Sequence, residues 1–277
     1  MRTFRLAAAI GLFLALIPAA ASAQRSVPSC YAAAHVQAAP PPPARAVFLF
    51  VDQTTALDLN LAATVRQNMA RLLRPGTSFT VASFADFAPG HYARILATGT
   101  IEQTVPPGIR ASVATNALRR LDACLGRQAA FAARLAQSAF AEASAGDAAT
   151  FSQSEIMASL RHLSSRVAGT RVRDRIVILA SDMLEHSSAA DFYRNRAMRR
   201  IDPGAELARA RRQHLTANFG GARVYVVGAG VLPPQPGGNG RTIPALDALE
   251  SFWTGWFHAS NARLAAFGRP DLAMPVQ

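Results

Sequence analysis

Two short apolar runs, each closing on an aspartate, restrict what this chain can fold into more than any other feature. Arg45-Ala-Val-Phe-Leu-Phe-Val-Asp52 and Arg175-Ile-Val-Ile-Leu-Ala-Ser-Asp182 place apolar residues at consecutive positions rather than alternate ones. A strand with one solvated face alternates, whereas a strand apolar on both faces is buried on both, as inner strands of a helix-covered parallel sheet are. Such a strand delivers whatever follows it to the carboxyl edge of the sheet, where open α/β proteins bind their ligands. Here that is Asp52 with Thr54 and Thr55, and Asp182 with Glu185 and His186.

The chain between and around these runs alternates helix and strand signals. Asp58 can cap a helix running to about Leu73, with Leu61, Val65, Met69 and Leu72 on one face and Pro75-Gly76 ending it. Ser78 to Phe84 reads as a second strand and Arg94 to Gln103 as a third, lying at a sheet edge and antiparallel because the linkage is short. Ala111 to Ala145 is helical and divisible at Gly126; Ser152 and Glu155 form a capping box that opens a helix to Val167. A basic helical region from Ser188 to His214, broken near Pro203-Gly204, precedes a strand at Ala222 to Val227 and a last helix from Ile243 to Phe267. In that helix Phe252, Trp253, Trp256 and Phe257 recur at helical spacing as core. The pattern predicts a doubly wound α/β fold: a mostly parallel, Rossmann-like sheet of about six strands with helices on both faces, in one domain over residues 45–270.

Residues 1–23 read as a signal peptide: Arg2 and Arg5, an apolar stretch from Leu6 to Ala20, and a small-residue cleavage site ending at Ala23. Residues 24–44 form a Pro- and Ala-rich N-terminal arm. The expected location is periplasmic or secreted, with a membrane attachment only if the leader stays uncleaved. Export places Cys30 and Cys124 in an oxidising compartment, where they are expected to form a disulfide. All 29 basic residues are arginine against 17 acidic ones, so an acidic partner or envelope polymer is attracted. No stretch interleaves aromatics with arginine as a nucleic-acid stacking surface requires.

Neighbouring strands that end in Asp52 and Asp182 would bring two carboxylates together, which repel unless a proton or cation lies between them. With Thr54 and Ser154 the donor set is all oxygen, the set of Mg²⁺, Mn²⁺ or Ca²⁺ rather than zinc. Gly228-Ala-Gly230 lacks the third glycine of a nucleotide-binding turn, and no Gly-x-Ser-x-Gly or His-Glu-x-x-His motif is present.

Asp52-Gln-Thr54-Thr55-Ala56 resembles the Asp-x-Ser-x-Ser motif of the von Willebrand factor A domain family, with Ser154 at that family's isolated Thr and Asp182 at its distal Asp. The resemblance covers about Arg45 to Phe267. It implies a divalent cation, Mg²⁺ foremost, held by Asp52, Thr54, Ser154 and Asp182, with a carboxylate of a partner protein completing its coordination. Two departures make the motif degenerate: Ala56 stands where the family has its last Ser, leaving that ligand missing unless Thr55 substitutes, and Met183 replaces the Gly usual after the distal Asp. The resulting expectation is an exported, non-enzymatic interaction module that binds another envelope or secreted protein, with Thr55, Glu185 and His186 facing the partner. Two alternatives are a metal-assisted phosphoester hydrolase, in which Glu185 or His186 moves the proton for an Asp52/Asp182-bound cation, and an arginine-rich binder of acidic envelope polymer.

Overall fold

The computed structural model describes residues 25–85, 93–145, 151, 153–194, 197–232 and 240–277; the leader read at residues 1–23 lies outside them. In chain order the elements are β1 (Arg25–Ser26), α1 (Cys30–Ala34), β2 (Arg45–Asp52), α2 (Leu59–Leu72), β3 (Thr77–Phe84), β4 (Arg94–Ile101), α3 (Pro107–Arg110), α4 (Thr115–Ser144), α5 (Ile156–Gly169), β5 (Asp174–Ala180), β6 (Tyr193–Arg194), β7 (Ala197–Met198), α6 (Pro203–Arg212), β8 (Ala222–Val227), α7 (Ile243–Ala259) and β9 (Ala262–Phe267). Seven strands form one sheet in the order β1-β4-β3-β2-β5-β8-β9, and β6 pairs with β7 in a separate ribbon.

The two apolar runs are neighbours at the centre. β2 lies parallel to β3 on one side and to β5 on the other, with Val51 opposite Ala180. Ala46 to Asp52 are all buried. Phe48 and Phe50 turn to one face, under α5, α6 and α7, while Val47, Leu49 and Val51 turn to the other, under α2 and α4. Consecutive apolar residues are therefore required: each alternate set has its own helical layer. The aromatic residues of α7 are core as expected, Trp253 and Trp256 being fully buried with their indole N–H groups bonded to Met183 O and Leu215 O. No helix among the described residues is long and apolar enough to cross a membrane.

Several local expectations are corrected. β4 is not an edge strand, because β1 pairs with it in parallel and covers it at Ala97 and Thr98. The arm carries a short helix within its described part, where Ser29 caps α1 through the Ala32 N–H. Gly126 does not divide α4, which runs unbroken for 30 residues. The helical region expected over Ser188 to His214 is helical only at α6; a two-stranded ribbon precedes it. The last helix stops at Ala259 because Asn261 adopts a left-handed backbone, and Ala262–Phe267 then pairs with β8 as a seventh strand. Its register with β8 carries an irregularity between Val224 and Tyr225.

Cys30 and Cys124 are bonded, joining α1 to α4 in a small satellite core with Tyr31, Val36, Val105 and Leu121. The bond closes a loop of 94 residues, so on chain-entropy grounds it contributes on the order of 4 kcal/mol. Replacing both cysteines by serine is expected to lower the melting temperature markedly without altering the far-ultraviolet circular dichroism of the native state. An unchanged melting temperature would show that the arm is held by its packing alone.

Candidate functional site

The central strands bring the sequence-predicted residues to one edge. Asp52 ends β2 with a buried carboxyl. Its Oδ1 accepts from the Thr54 backbone N–H at 3.0 Å and the Thr54 hydroxyl at 2.6 Å, and its Oδ2 accepts from the Ser181 hydroxyl at 2.8 Å. Thr54 Oγ1 also lies 3.0 Å from Ser154 Oγ, which attaches the loop before α5 to the same cluster. Thr55 Oγ1 accepts from the Asp182 N–H at 2.9 Å, and Asp182 Oδ1 accepts from the Leu184 N–H at 2.8 Å. Asp52, Thr54, Thr55, Ser154 and Asp182 thus form one connected set on three loops.

This geometry bears on the two departures in the motif. Thr55 is buried and Ala56 exposed, so it is the Thr55 hydroxyl that enters the cluster, where its hydrogen bonding favours the ionised form of both carboxyls. Met183 takes the left-handed conformation, φ 61°, which glycine enters without steric cost. That backbone costs roughly 1–2 kcal/mol for a residue with a side chain. Complete burial of the Met183 side chain and the Trp253 bond to its carbonyl hold it there.

Burial pushes the Asp52 carboxyl above the usual range, against the bonds from Thr54 and Ser181. Asp182 is raised well above it by burial and by the charge of Asp52. No ion pair reaches either carboxyl among the described residues. The donor chemistry fits a hard divalent cation: two carboxyls and the hydroxyls of Thr54, Thr55 and Ser154. Among the described residues no cluster of three or more His, Cys, Asp or Glu side chains could hold a metal, so any cation here relies on hydroxyl oxygens.

Glu185 and His186, expected to face a partner, part company. Glu185 is buried: its Oε2 accepts from the Met157 N–H at 2.9 Å and its Oε1 from the Ser187 hydroxyl at 2.6 Å. It thereby caps α5 from another loop; Ser152 of the expected capping box lies outside the described residues. His186 is the more exposed of the two, paired through Nδ1 with Asp191 Oδ1 at 3.0 Å, while Arg194 binds the other oxygen of Asp191. Sequence reading passed over Ser181, although its place directly before Asp182 put it opposite Asp52. It also discarded Gly228 and Gly230, whose left-handed backbones turn the loop after β8 so that the Gly230 N–H meets Asp182 O at 2.8 Å. A side chain at Gly228 would press on Leu57 and on Ser181 O, both 3.2 Å from its first carbon.

Fold and site together define an α/β protein with a polar, oxygen-rich cluster at the carboxyl edge of its sheet. No family model matches the chain, and no curated protein matches it. Among solved structures it is similar to proximal thread matrix protein 1 of the mussel byssus, at 12% identity and a TM-score of 0.32, over 68% of this chain and 39% of that one. It is also similar to an aerotolerance-related membrane protein of Bacteroides fragilis NCTC 9343 carrying multiple mutations to serine, at 11% identity and a TM-score of 0.34, over 79% of this chain and 90% of that one. Neither likeness assigns a function.

Burial raises Glu185 from 4.5 to about 8 against the opposing bonds from Ser187 and Met157, with the Glu155 charge adding to the rise. The folded protein then retains a proton that the unfolded chain releases between those two values. Glu185 therefore stabilises the fold fully below about pH 4.5, and that contribution falls as pH rises toward 8, by up to about 1.4 kcal/mol per pH unit. Melting curves of Glu185→Gln across this interval are expected to slope less steeply with pH than those of the unsubstituted protein. Equal slopes would mean that Glu185 is ionised in the fold.

Proposed function

We propose that this chain is a non-enzymatic protein-interaction module of von Willebrand factor A-like build, whose carboxyl-edge cluster binds a divalent cation and an acidic residue of a partner protein. The observation that carries the reading is the Asp52–Asp182 arrangement: two raised carboxyls at one edge, hydrogen-bonded by hydroxyls and N–H groups and, among the described residues, by no cationic side chain, in a chain rich in arginine. A cation between them would relieve the repulsion that raises Asp182. Mg²⁺ is the first candidate, with Mn²⁺ and Ca²⁺ able to use the same oxygens. Asp52, Thr54, Thr55, Ser154 and Asp182 would hold it, and the chemistry it supplies is an attachment point for a carboxylate. The partner is another envelope or secreted protein if the leader directs export.

Thermal melting in EDTA, Mg²⁺, Mn²⁺ and Ca²⁺ tests this. A cation that binds only the folded state stabilises it by about 2.7 kcal/mol at a hundredfold excess over its dissociation constant. Asp52→Ala and Asp182→Ala are expected to abolish the rise and Thr55→Val to reduce it, while Ala56→Ser leaves it unchanged because that position faces solvent. Cooperative melting that no cation shifts would overturn the metal-dependent reading.

A further inference from the structure

The two helical layers of the sheet differ in charge. In one, α6 and α7 carry acids beside arginines: Glu206 lies 3.7 Å from Arg209, and Asp247 and Glu250 both bind Arg269. The other layer, α2 and α4, has its acids already engaged. α2 contains no acidic residue between Leu59 and Leu72. α4 contains Asp122, held by Arg110, and Glu142, held by Arg25 and Arg94. At the borders of the layer Asp58 accepts from the Leu61 N–H that it caps, and Asp271 accepts from the Thr64 hydroxyl.

The arginines of this layer are not so engaged. Arg66 on α2 and Arg119, Arg127 and Arg134 on α4 are exposed and have no ion pair among the described residues. Arg74, just past α2, is exposed too and donates only to the carbonyl of Arg71. On α4, Leu121, Ala132 and Ala139 face the sheet. At 3.6 residues per turn Arg119, Arg127 and Arg134 fall on the opposite side, within an arc of about 80° and over about 22 Å of helix. Ala123, Ala130 and Ala141 fill the same arc and are exposed.

We infer that this helical layer docks on an anionic lipid bilayer, its five unpaired arginines meeting the lipid phosphates. The surface is separate from the carboxyl-edge cluster and does not rest on the cation reading. A guanidinium makes planar two-point contacts with phosphate. Charges spread along two helices, rather than gathered round a hollow, match a ligand that is itself extended and flat. The alanines between them let headgroups approach the helix, while the arginine stems carry their charge past it. Phe131, 41% exposed and one turn from both Arg127 and Arg134, is placed to enter the headgroup layer. An acidic protein fits less well, because a specific protein interface is centred on clustered large side chains, and Phe131 stands here among alanines. Docking through this layer sets the sheet parallel to the bilayer, so its carboxyl edge opens sideways and Asp52 and Asp182 stay accessible to a partner.

Cosedimentation of the purified protein with sucrose-loaded vesicles tests the inference. Affinity is expected to rise as phosphatidylglycerol is added to phosphatidylcholine and to fall as salt rises. Phosphatidylcholine alone sets the baseline, which includes any binding by the apolar leader. A basic residue near an anionic surface contributes roughly fivefold, so Arg127→Ala/Arg134→Ala is expected to weaken binding about 25-fold. Arg211→Ala/Arg212→Ala removes the same charge from exposed positions of α6, in the opposite layer, and is expected to weaken it by less than about twofold. Binding is expected to persist in EDTA. Equal affinity for vesicles with and without phosphatidylglycerol overturns the inference, as does equal weakening by the two alanine pairs. Loss of binding in EDTA would move the contact to the carboxyl edge, and displacement by oligoglutamate at no more than the charge concentration of the lipid would assign the layer to an acidic protein; either result overturns it. If Arg127→Ala/Arg134→Ala lowers the melting temperature, Arg66→Ala/Arg119→Ala carries the same comparison.

Discussion

Burial of β2 on both faces is the constraint from which the rest of the structure follows. A strand enclosed by two helical layers has no solvated side on which to place a polar residue, so its first chance to carry one is where it leaves the sheet. The chain uses that position for Asp52, and β5 does nearly the same two residues past its end with Asp182. Because Val51 and Ala180 are in register, the next residues across the gap are Asp52 and Ser181, and the hydroxyl of the second binds the carboxyl of the first. Strand pairing therefore aligns the site, and the loops need only supply hydroxyls and N–H groups to it.

The opposite edge of the same sheet shows what the chain does with a carboxyl it intends to neutralise internally. Asp174, at the start of β5, lies between Arg45 of β2 and Arg223 of β8, each 2.6 Å from one of its oxygens. Burial raises this carboxyl, but the two arginines outweigh burial and hold it below the usual range. Asp52 and Asp182 receive no such partner among the described residues and are raised instead. The difference between the two edges is one of cation supply, since both belong to adjacent central strands.

The parts of this architecture legible in the sequence are those governed by a single local rule. Consecutive apolar residues gave the central strands, and the aspartates that end them gave the site. Where two rules competed, the pattern misled. Ala262–Phe267 carries apolar residues that continue the α7 stripe, and only a left-handed turn at Asn261 converts the segment into an edge strand. The ribbon at β6 and β7 has helix-forming arginines and alanines in sequence but is fixed by contacts with other segments, Arg199 N–H to Phe192 O and Met198 N–H to Gly240 O. Glu185 looked like part of an exposed acidic turn, yet its carboxyl serves α5, an element some thirty residues earlier in the chain. Cross-loop caps of this kind leave no trace in residue spacing.

Distant packing also governs the backbone beside Asp182. Position 183 needs a left-handed backbone, and glycine would supply it at no steric cost. Methionine supplies a side chain that is wholly buried in the core beneath the site, among residues of α5 and α7, while the Trp253 indole fixes its carbonyl. Backbone strain is thus offset by packing a short distance from Asp182. On the facing loop Ala56 is exposed, and the neighbouring Thr55 turns inward to accept from the Asp182 N–H. In both places the geometry of the carboxyl edge is secured by a residue near the aspartates, through burial of its side chain and a hydrogen bond from another segment.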